Sequence, residues 1–104
     1  MAIAWLNGVS ATDIKNAVAS FQGAKRRFDF WIKRDDLVMI DDYAHHPDEI
    51  KASISSVKEL YPEKKISVIF QPHLYTRTRD FAPQFAKALS LADELILLDI
   101  YPAR

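Results

Sequence analysis

Short apolar segments alternate with amphipathic helical segments along most of this chain, and this alternation restricts the fold more than any other feature. Runs typical of buried strands lie at 37–40 and 66–70, and a further apolar run lies at 95–98. Between them, apolar residues recur at helical spacing over 47–61 and 81–89. We therefore expect strands and helices to follow each other in strict order.

The first of these strands has a partner on its N-terminal side. Phe28, Phe30 and Ile32 alternate with polar residues, and the turn at Asp35–Asp36 leads into the run at 37–40, so a hairpin is predicted. Strands that alternate with helices favour an α/β fold. We expect a Rossmann-like, mostly parallel sheet with flanking helices and an antiparallel N-terminal hairpin strand.

Two helices are predicted before this unit. The first ends at Asn7–Gly8, and the second begins after Ser10, which suits an N-cap, and ends at Gly23. For the helix over 81–89, Asp80 is the expected cap. The chain is thus predicted to divide into a helical tail, residues 1–23, and an α/β unit, residues 24–104.

Composition excludes several classes of protein. Fourteen basic and fourteen acidic residues cancel, which argues against binding nucleic acid through bulk charge. The absence of cysteine excludes disulfides and thiolate metal sites. No apolar run approaches the roughly 18 residues of a membrane span, and the first residues lack the features of a signal peptide. We expect a cytoplasmic protein that binds neither nucleic acid nor membrane.

Polar loops follow the apolar strands, at 41–46 and 71–78, and residues 99–101 follow the last strand. Ligands of parallel α/β sheets bind outside the carboxyl ends of the strands. All three histidines of the chain and one arginine belong to these loops: His45, His46, His73 and Arg77. The grouping predicts a functional edge.

Two charged motifs have alternative interpretations. The pair Asp41–Asp42 suits a solvated helix entry, a metal site shared with histidines, or the acidic pair of a phosphoacceptor receiver domain. Adjacent histidines match no strong zinc spacing, and the receiver domain's lysine is missing. The run Lys25–Arg27 suits either a solvated surface or a clamp for phosphate groups.

Four ordered segments resemble signatures of the Mur ligase family: Gly23–Asp29, Asp41–Pro47, Phe70–Asp80 and the ending Leu98–Arg104. The resemblance covers nearly the whole chain. It implies that residues 24–104 are the C-terminal domain of a Mur ligase, truncated at its own C-terminus. Residues 1–23 would be the helical tail of the central ATP-binding domain.

The resemblance also implies an activity. Mur ligases use ATP with Mg²⁺ to convert a substrate carboxylate into an acyl phosphate, which an amine attacks. The signatures are most similar to those of members that join L-alanine to UDP-N-acetylmuramate in peptidoglycan synthesis. The chain has only two glycines and no G-x-x-x-x-G-K-S/T loop. The phosphate loop, most Mg²⁺ ligands and the UDP-sugar site would therefore lie in N-terminal and central domains, and this chain alone is expected to be inactive.

Matching to the family motifs implies six site residues: Arg27, Asp42 and Tyr43 for nucleotide binding, and His45, His73 and Arg77 for catalysis. An aspartate suits ribose hydroxyls, and an arginine suits phosphate or carboxylate groups. No metal ligand is expected among them. Two alternatives stay open: a related ligase that attaches a whole peptide, and a free-standing anion- or nucleotide-binding module without catalysis.

Overall fold

A computed structural model describes residues 2–102, so Met1, Ala103 and Arg104 lie outside the described residues. Ala103 and Arg104 are the last two positions of the fourth signature. The outer ends of both predicted domains therefore also lie outside the described residues. The described residues form five helices and four strands: α1 (Ala2–Leu6), α2 (Ala11–Ser20), β1 (Asp29–Lys33), β2 (Val38–Asp41), α3 (Pro47–Leu60), β3 (Ser67–Phe70), α4 (Tyr75–Asp80), α5 (Ala82–Leu89) and β4 (Glu94–Leu97). The predicted α/β class is confirmed.

The strands form two separate two-stranded sheets. β1 and β2 are antiparallel, with Phe30 opposite Ile40, which confirms the hairpin. β3 and β4 are parallel, with Val68 opposite Leu95. Within residues 2–102 no ladder joins β2 to β3, so the single mostly parallel sheet is not what the structure shows. Apolar patterning predicts where strands lie, but pairing depends on side-chain packing across the whole sheet.

Residues of both sheets line a cleft of about 260 Å³, among them Val38 and Ile40 of β2 and Val68 of β3. The prediction that residues 37–40 and 66–70 form buried strands is wrong for part of each strand. Met39 is 45% exposed and Ile69 is 68% exposed. Helices cover one face of β3, and alternate residues of a strand point to opposite faces, so Ile69 points away from the core.

The core lies between helices α3 and α5 and one face of strand β3. Ile54 of α3 and Phe85 of α5 are 5% and 6% exposed. Val68 and Phe70 pack against them, and the ring centroids of Phe70 and Phe85 are 5.6 Å apart. This packing fixes the N-terminal end of α3, and with it the loop that follows β2.

Helix α3 begins at Pro47 as predicted, because proline suits the first turn of a helix. The predicted loop over 71–78 is partly wrong, since α4 begins at Tyr75. Asp80 ends α4 and does not cap α5, whose N-cap is Phe81. The polar residues of α4 leave no apolar stripe, so periodicity gave no signal for this helix.

The two N-terminal helices form a hairpin of their own. Ser10 caps α2 as predicted, its Oγ accepting from the Asp13 N–H at 3.1 Å. Helix α2 ends at Ser20, before the predicted Gly23. Among the described elements, α1 and α2 pack extensively only on each other. No helix in residues 2–102 is both long and apolar enough to cross a membrane.

Candidate functional site

Two donors hold the carboxylate of Asp42, directly after β2. The backbone N–H of Ala44 donates to Oδ1 at 3.2 Å. The hydroxyl of Ser53, on the second turn of α3, donates to Oδ2. Asp42 and Ser53 are both half-buried and line the cleft between the sheets. The side chain expected to meet a ribose is therefore held in place by the fold itself.

Arg26 joins the first signature to the second. Its Nε lies 3.9 Å from Oδ2 of Asp41, and its guanidinium carbon lies 5.2 Å from the ring centroid of Tyr43. The Tyr43 N–H donates to the Arg26 carbonyl at 2.6 Å. The ion pair is exposed and contributes at most about 1 kcal/mol. The backbone bond therefore does more to fix the relative position of the two segments.

The segment around Arg27 has an unusual backbone. Arg26 and Phe28 have φ of 58° and 49°, in the left-handed region that costs a non-glycine residue roughly 1–2 kcal/mol. Such strain persists where surrounding contacts impose it, and it is concentrated at functional sites. Arg27 lies between these two residues, is exposed, and among the described residues forms no side-chain hydrogen bond or ion pair. Its guanidinium is available to a ligand.

Glu49 organises the turn that holds His45 and His46. Its Oε2 accepts the backbone N–H groups of His45 at 3.0 Å and His46 at 3.2 Å. The bond from His45 does most to hold the pKa of Glu49 below its usual value, and the bond from His46 contributes less, while burial acts in the opposite direction. The ring of His45 lies 5.2 Å from that of Tyr43, and its Nδ1 is 3.0 Å from the Tyr43 carbonyl oxygen.

The loop after β3 is anchored by residues that follow β4. The ring of His73 stacks on Tyr101, with centroids 5.5 Å apart and planes 14° from parallel. The backbone of Tyr101 accepts from Leu74 N–H at 3.2 Å and donates to the Pro72 carbonyl at 2.8 Å. Leu74 has a φ of 70°, which marks a sharp bend before α4. His73 is thus placed by the end of the neighbouring strand.

Four of the six predicted site residues fall into two clusters. Asp42, Tyr43 and His45 belong to the first, and His73 belongs to the second with Tyr101. A ring contact between His46 and Phe81, 5.1 Å between centroids, links the first cluster to the junction of α4 and α5. Arg77, half-buried on α4, lies one helical turn before Phe81 and accepts its N–H at 3.0 Å.

Residues 2–102 contain no complete set of side-chain ligands for Mg²⁺. Among residues 2–102, no three His, Asp or Glu side chains converge as a metal site requires. Asp41 is paired with Arg26, and Asp42 is bonded to Ser53, so their geometry gives no support to a metal site at this pair. The expectation that Mg²⁺ ligands belong to other domains stays a prediction.

Sequence reasoning placed residues 99–101 at the functional edge but assigned no role to Tyr101, and it missed Arg26 and Ser53 as structural partners of the site. A signal existed for Ser53, which is a polar residue between Ile50 and Ile54 on the apolar face of α3. The sequence gave no comparable signal for Arg26. Its neighbours Lys25 and Arg27 are also basic, and only the folded backbone determines the direction in which each of these side chains points.

Comparisons with known proteins agree with these signatures. Residues 26–104 match the family described as "Mur ligase, glutamate ligase domain". All 104 residues are 68% identical to the UDP-N-acetylmuramate–L-alanine ligase of Parabacteroides distasonis and 60% identical to that of Phocaeicola vulgatus, covering 22% and 23% of those proteins.

A solved structure of a ligase with the same activity in its name also matches this chain. The crystal structure of UDP-N-acetylmuramate–alanine ligase from Thermotoga maritima superposes with a TM-score of 0.80 at 37% identity, over 96% of this chain and 22% of that protein. The chain thus spans about a fifth of the length of the relatives that it matches. Since the family match covers more than half of the sequence, the chain belongs to the Mur ligase family.

Proposed function

We propose that this chain forms the C-terminal part of an ATP-dependent ligase that joins L-alanine to UDP-N-acetylmuramate in peptidoglycan synthesis. The observation that carries the proposal is 68% identity over the whole chain to a ligase of that name. Residues 24–104 are the C-terminal domain in this proposal, and residues 1–23 are the helical tail of the central domain. The separate packing of α1 on α2 supports that division.

In the complete ligase we expect one Rossmann-like, mostly parallel sheet. The support is that residues of β2 and β3 line a single cleft. The carboxyl ends of these strands carry the loops with Asp42 and His73, so their alignment would bring the two clusters to one edge.

The first cluster fits a nucleotide. A carboxylate has about four lone-pair positions, and Asp42 uses two, one on each oxygen, for Ala44 and Ser53. The two that remain match the adjacent hydroxyls of a ribose. Tyr43, 48% exposed, supplies an aromatic surface beside them, and the exposed guanidinium of Arg27 suits phosphate oxygens.

Three residues fit the amine substrate: His73 of the second cluster, Arg77 of α4 and His45 of the first cluster. Arg77 would attract the carboxylate of L-alanine, and His45 and His73 would line the space between amino acid and nucleotide. ATP supplies the phosphoryl group that activates the carboxylate of UDP-N-acetylmuramate. This chain's residues bind, orient the reactants and exclude water when the domains close, which are effects of position and electrostatics.

A domain exchange tests the proposal. The matching segment of the Parabacteroides distasonis ligase is replaced by this chain, and phosphate release that depends on L-alanine and UDP-N-acetylmuramate is measured. We expect activity close to that of the parent. Asp42→Asn should raise the KM for ATP, and Arg77→Ala the KM for L-alanine, each by about tenfold or more because a hydrogen bond to a charged group is lost.

Lys58→Ala, an exposed change on α3, serves as the control and should leave both KM values unchanged. A folded but inactive chimaera that still binds ATP would favour the binding module. Activity with a peptide in place of L-alanine would favour the peptide-attaching ligase. Ligase activity from the isolated chain would contradict the expectation that other domains are required.

A further inference from the structure

We propose that Ser53 is a positioning residue, which holds the Asp42 carboxylate in the orientation that receives the ribose hydroxyls of a nucleotide. The inference rests on the proposed nucleotide role of Asp42. It adds a residue eleven positions away in the chain and on a different element, for which no signature gives a role.

Ser53 occupies a rigid part of the molecule. Its neighbours on α3, Ile50 and Ile54, are 4% and 5% exposed and belong to the hydrophobic core. The serine hydroxyl is thus carried by the best-packed surface of the helix. A donor fixed in this way can restrain a loop side chain, because the donor does not move when the loop does.

The hydrogen bonds define the orientation of the carboxylate. Ser53 donates to Oδ2, and Ala44 N–H donates to Oδ1 at 3.2 Å, so each oxygen has its own donor. One donor alone would leave the Asp42 side chain freer to turn about both its Cα–Cβ and its Cβ–Cγ bonds. With both donors, each oxygen is engaged with the protein and keeps a lone pair for a ligand.

Preorganisation of this kind changes affinity. A side chain that is already ordered loses less conformational freedom on binding. Removal of the Ser53 hydroxyl should therefore weaken the binding of a ribose by about three- to tenfold, while ligands that do not contact Asp42 should be unaffected. The effect depends on the ribose hydroxyls, which separates positioning from a general loss of structure.

The test compares four variants of the chain: Ser53→Ala, Ser53→Thr, Asp42→Asn and Ser56→Ala. Threonine keeps the hydroxyl, and its extra methyl group has room because position 53 lines the cleft. Ser56 is the matched control, since it lies on the same helix with its hydroxyl bonded to the Ala52 carbonyl. Alanine is a stronger helix former than serine, so Ser53→Ala should not unfold α3.

Two quantities are measured by NMR. The first is the Asp42 side-chain rotamer, from the couplings between its α and β protons without ligand. The second is the ratio of dissociation constants for Mg-ATP and Mg-2′,3′-dideoxy-ATP, which lacks both hydroxyls. We expect one Asp42 rotamer in the unmodified chain, Ser53→Thr and Ser56→Ala, and rotamer averaging with a three- to tenfold smaller preference for ATP in Ser53→Ala.

The two proposals fail in different ways. A single unchanged Asp42 rotamer in Ser53→Ala would overturn the positioning role. The nucleotide role of Asp42 would be overturned if the unmodified chain did not prefer ATP over the dideoxy analogue, or if Asp42→Asn kept the full preference. In that case the rotamer data would still decide whether Ser53 restrains the carboxylate.

Discussion

At the residue scale, acidic side chains build the loop after β2 by accepting hydrogen bonds from its own backbone. Asp42 accepts from Ala44, and Glu49 accepts from His45 and His46. Each carboxylate thereby provides a hydrogen-bond acceptor to backbone N–H groups that would otherwise bond to water. These bonds also fix the positions of Tyr43 and His45. The loop keeps its form through local bonds more than through burial.

The bonds of Glu49 predict a pH dependence. The pKa of Glu49 is lowered in the folded chain, so its contribution to the free energy of unfolding is present above the unfolded pKa, about 4.3, and is lost as pH falls through the lower folded value. Glu49→Ala should cost at most about 1 kcal/mol at pH 7, because the carboxylate is half-exposed.

Urea unfolding at pH 7 and pH 3 measures this effect, with Glu59→Ala, an exposed glutamate of the same helix, as the control. The difference between the unmodified chain and Glu49→Ala should shrink at pH 3. A difference of equal size at both values would show that the ionised carboxylate is not what stabilises the turn.

Sequence alone predicted that Asp42, Tyr43 and His45 lie together, because they are close in the chain and share one loop. Their local grouping required no knowledge of tertiary structure. The bond from Ser53 to Asp42 depends on how α3 packs over the loop, and the stacking of His73 on Tyr101 depends on strand pairing. Neither relation follows from spacing along the chain.

At the element scale, helices with an apolar stripe were predictable, and the polar α4 was not. Strand positions were predictable as well, but their assembly into two sheets was not, since an apolar run does not specify its neighbour. Helix α5 carries much of the core, because Phe85, Ala88 and Leu89 all lie on its buried face.

This concentration of the core predicts a large effect from one substitution. Phe85→Ala should lower the free energy of unfolding by about 3–5 kcal/mol, because a buried ring is replaced by a cavity. Phe21→Ala, at a residue that is 72% exposed, should change it by less than about 0.5 kcal/mol. Urea unfolding followed by circular dichroism compares them, and equal losses would contradict this location of the core.

At the scale of the whole molecule, the chain is more extended than its length requires. The radius of gyration is 17.2 Å, against about 13 Å for a compact domain of this size. The α1–α2 hairpin accounts for part of this difference, since it packs extensively only on itself among the described elements. Its exposed apolar residues, including Trp5 and Phe21, contribute little to the core.

Removal of residues 1–23 should therefore leave the rest folded. We expect the urea midpoint of the α/β unit to stay the same, and the radius of gyration in X-ray scattering to fall toward about 12 Å. Unfolding of the shortened chain would show that the hairpin stabilises the sheets, against the predicted division at residue 23.

Strand β4 has one neighbour among the described strands, and its backbone therefore has two unlike sides. The N–H groups of Glu94 and Leu98 donate to the carbonyls of Ile66 and Phe70. Since donors alternate along a strand, those of Leu95 and Leu97 point the other way, beside side chains that are 40% and 60% exposed. Every second peptide group of β4 is thus left to water, and at high concentration a neighbouring molecule could compete with water for those groups.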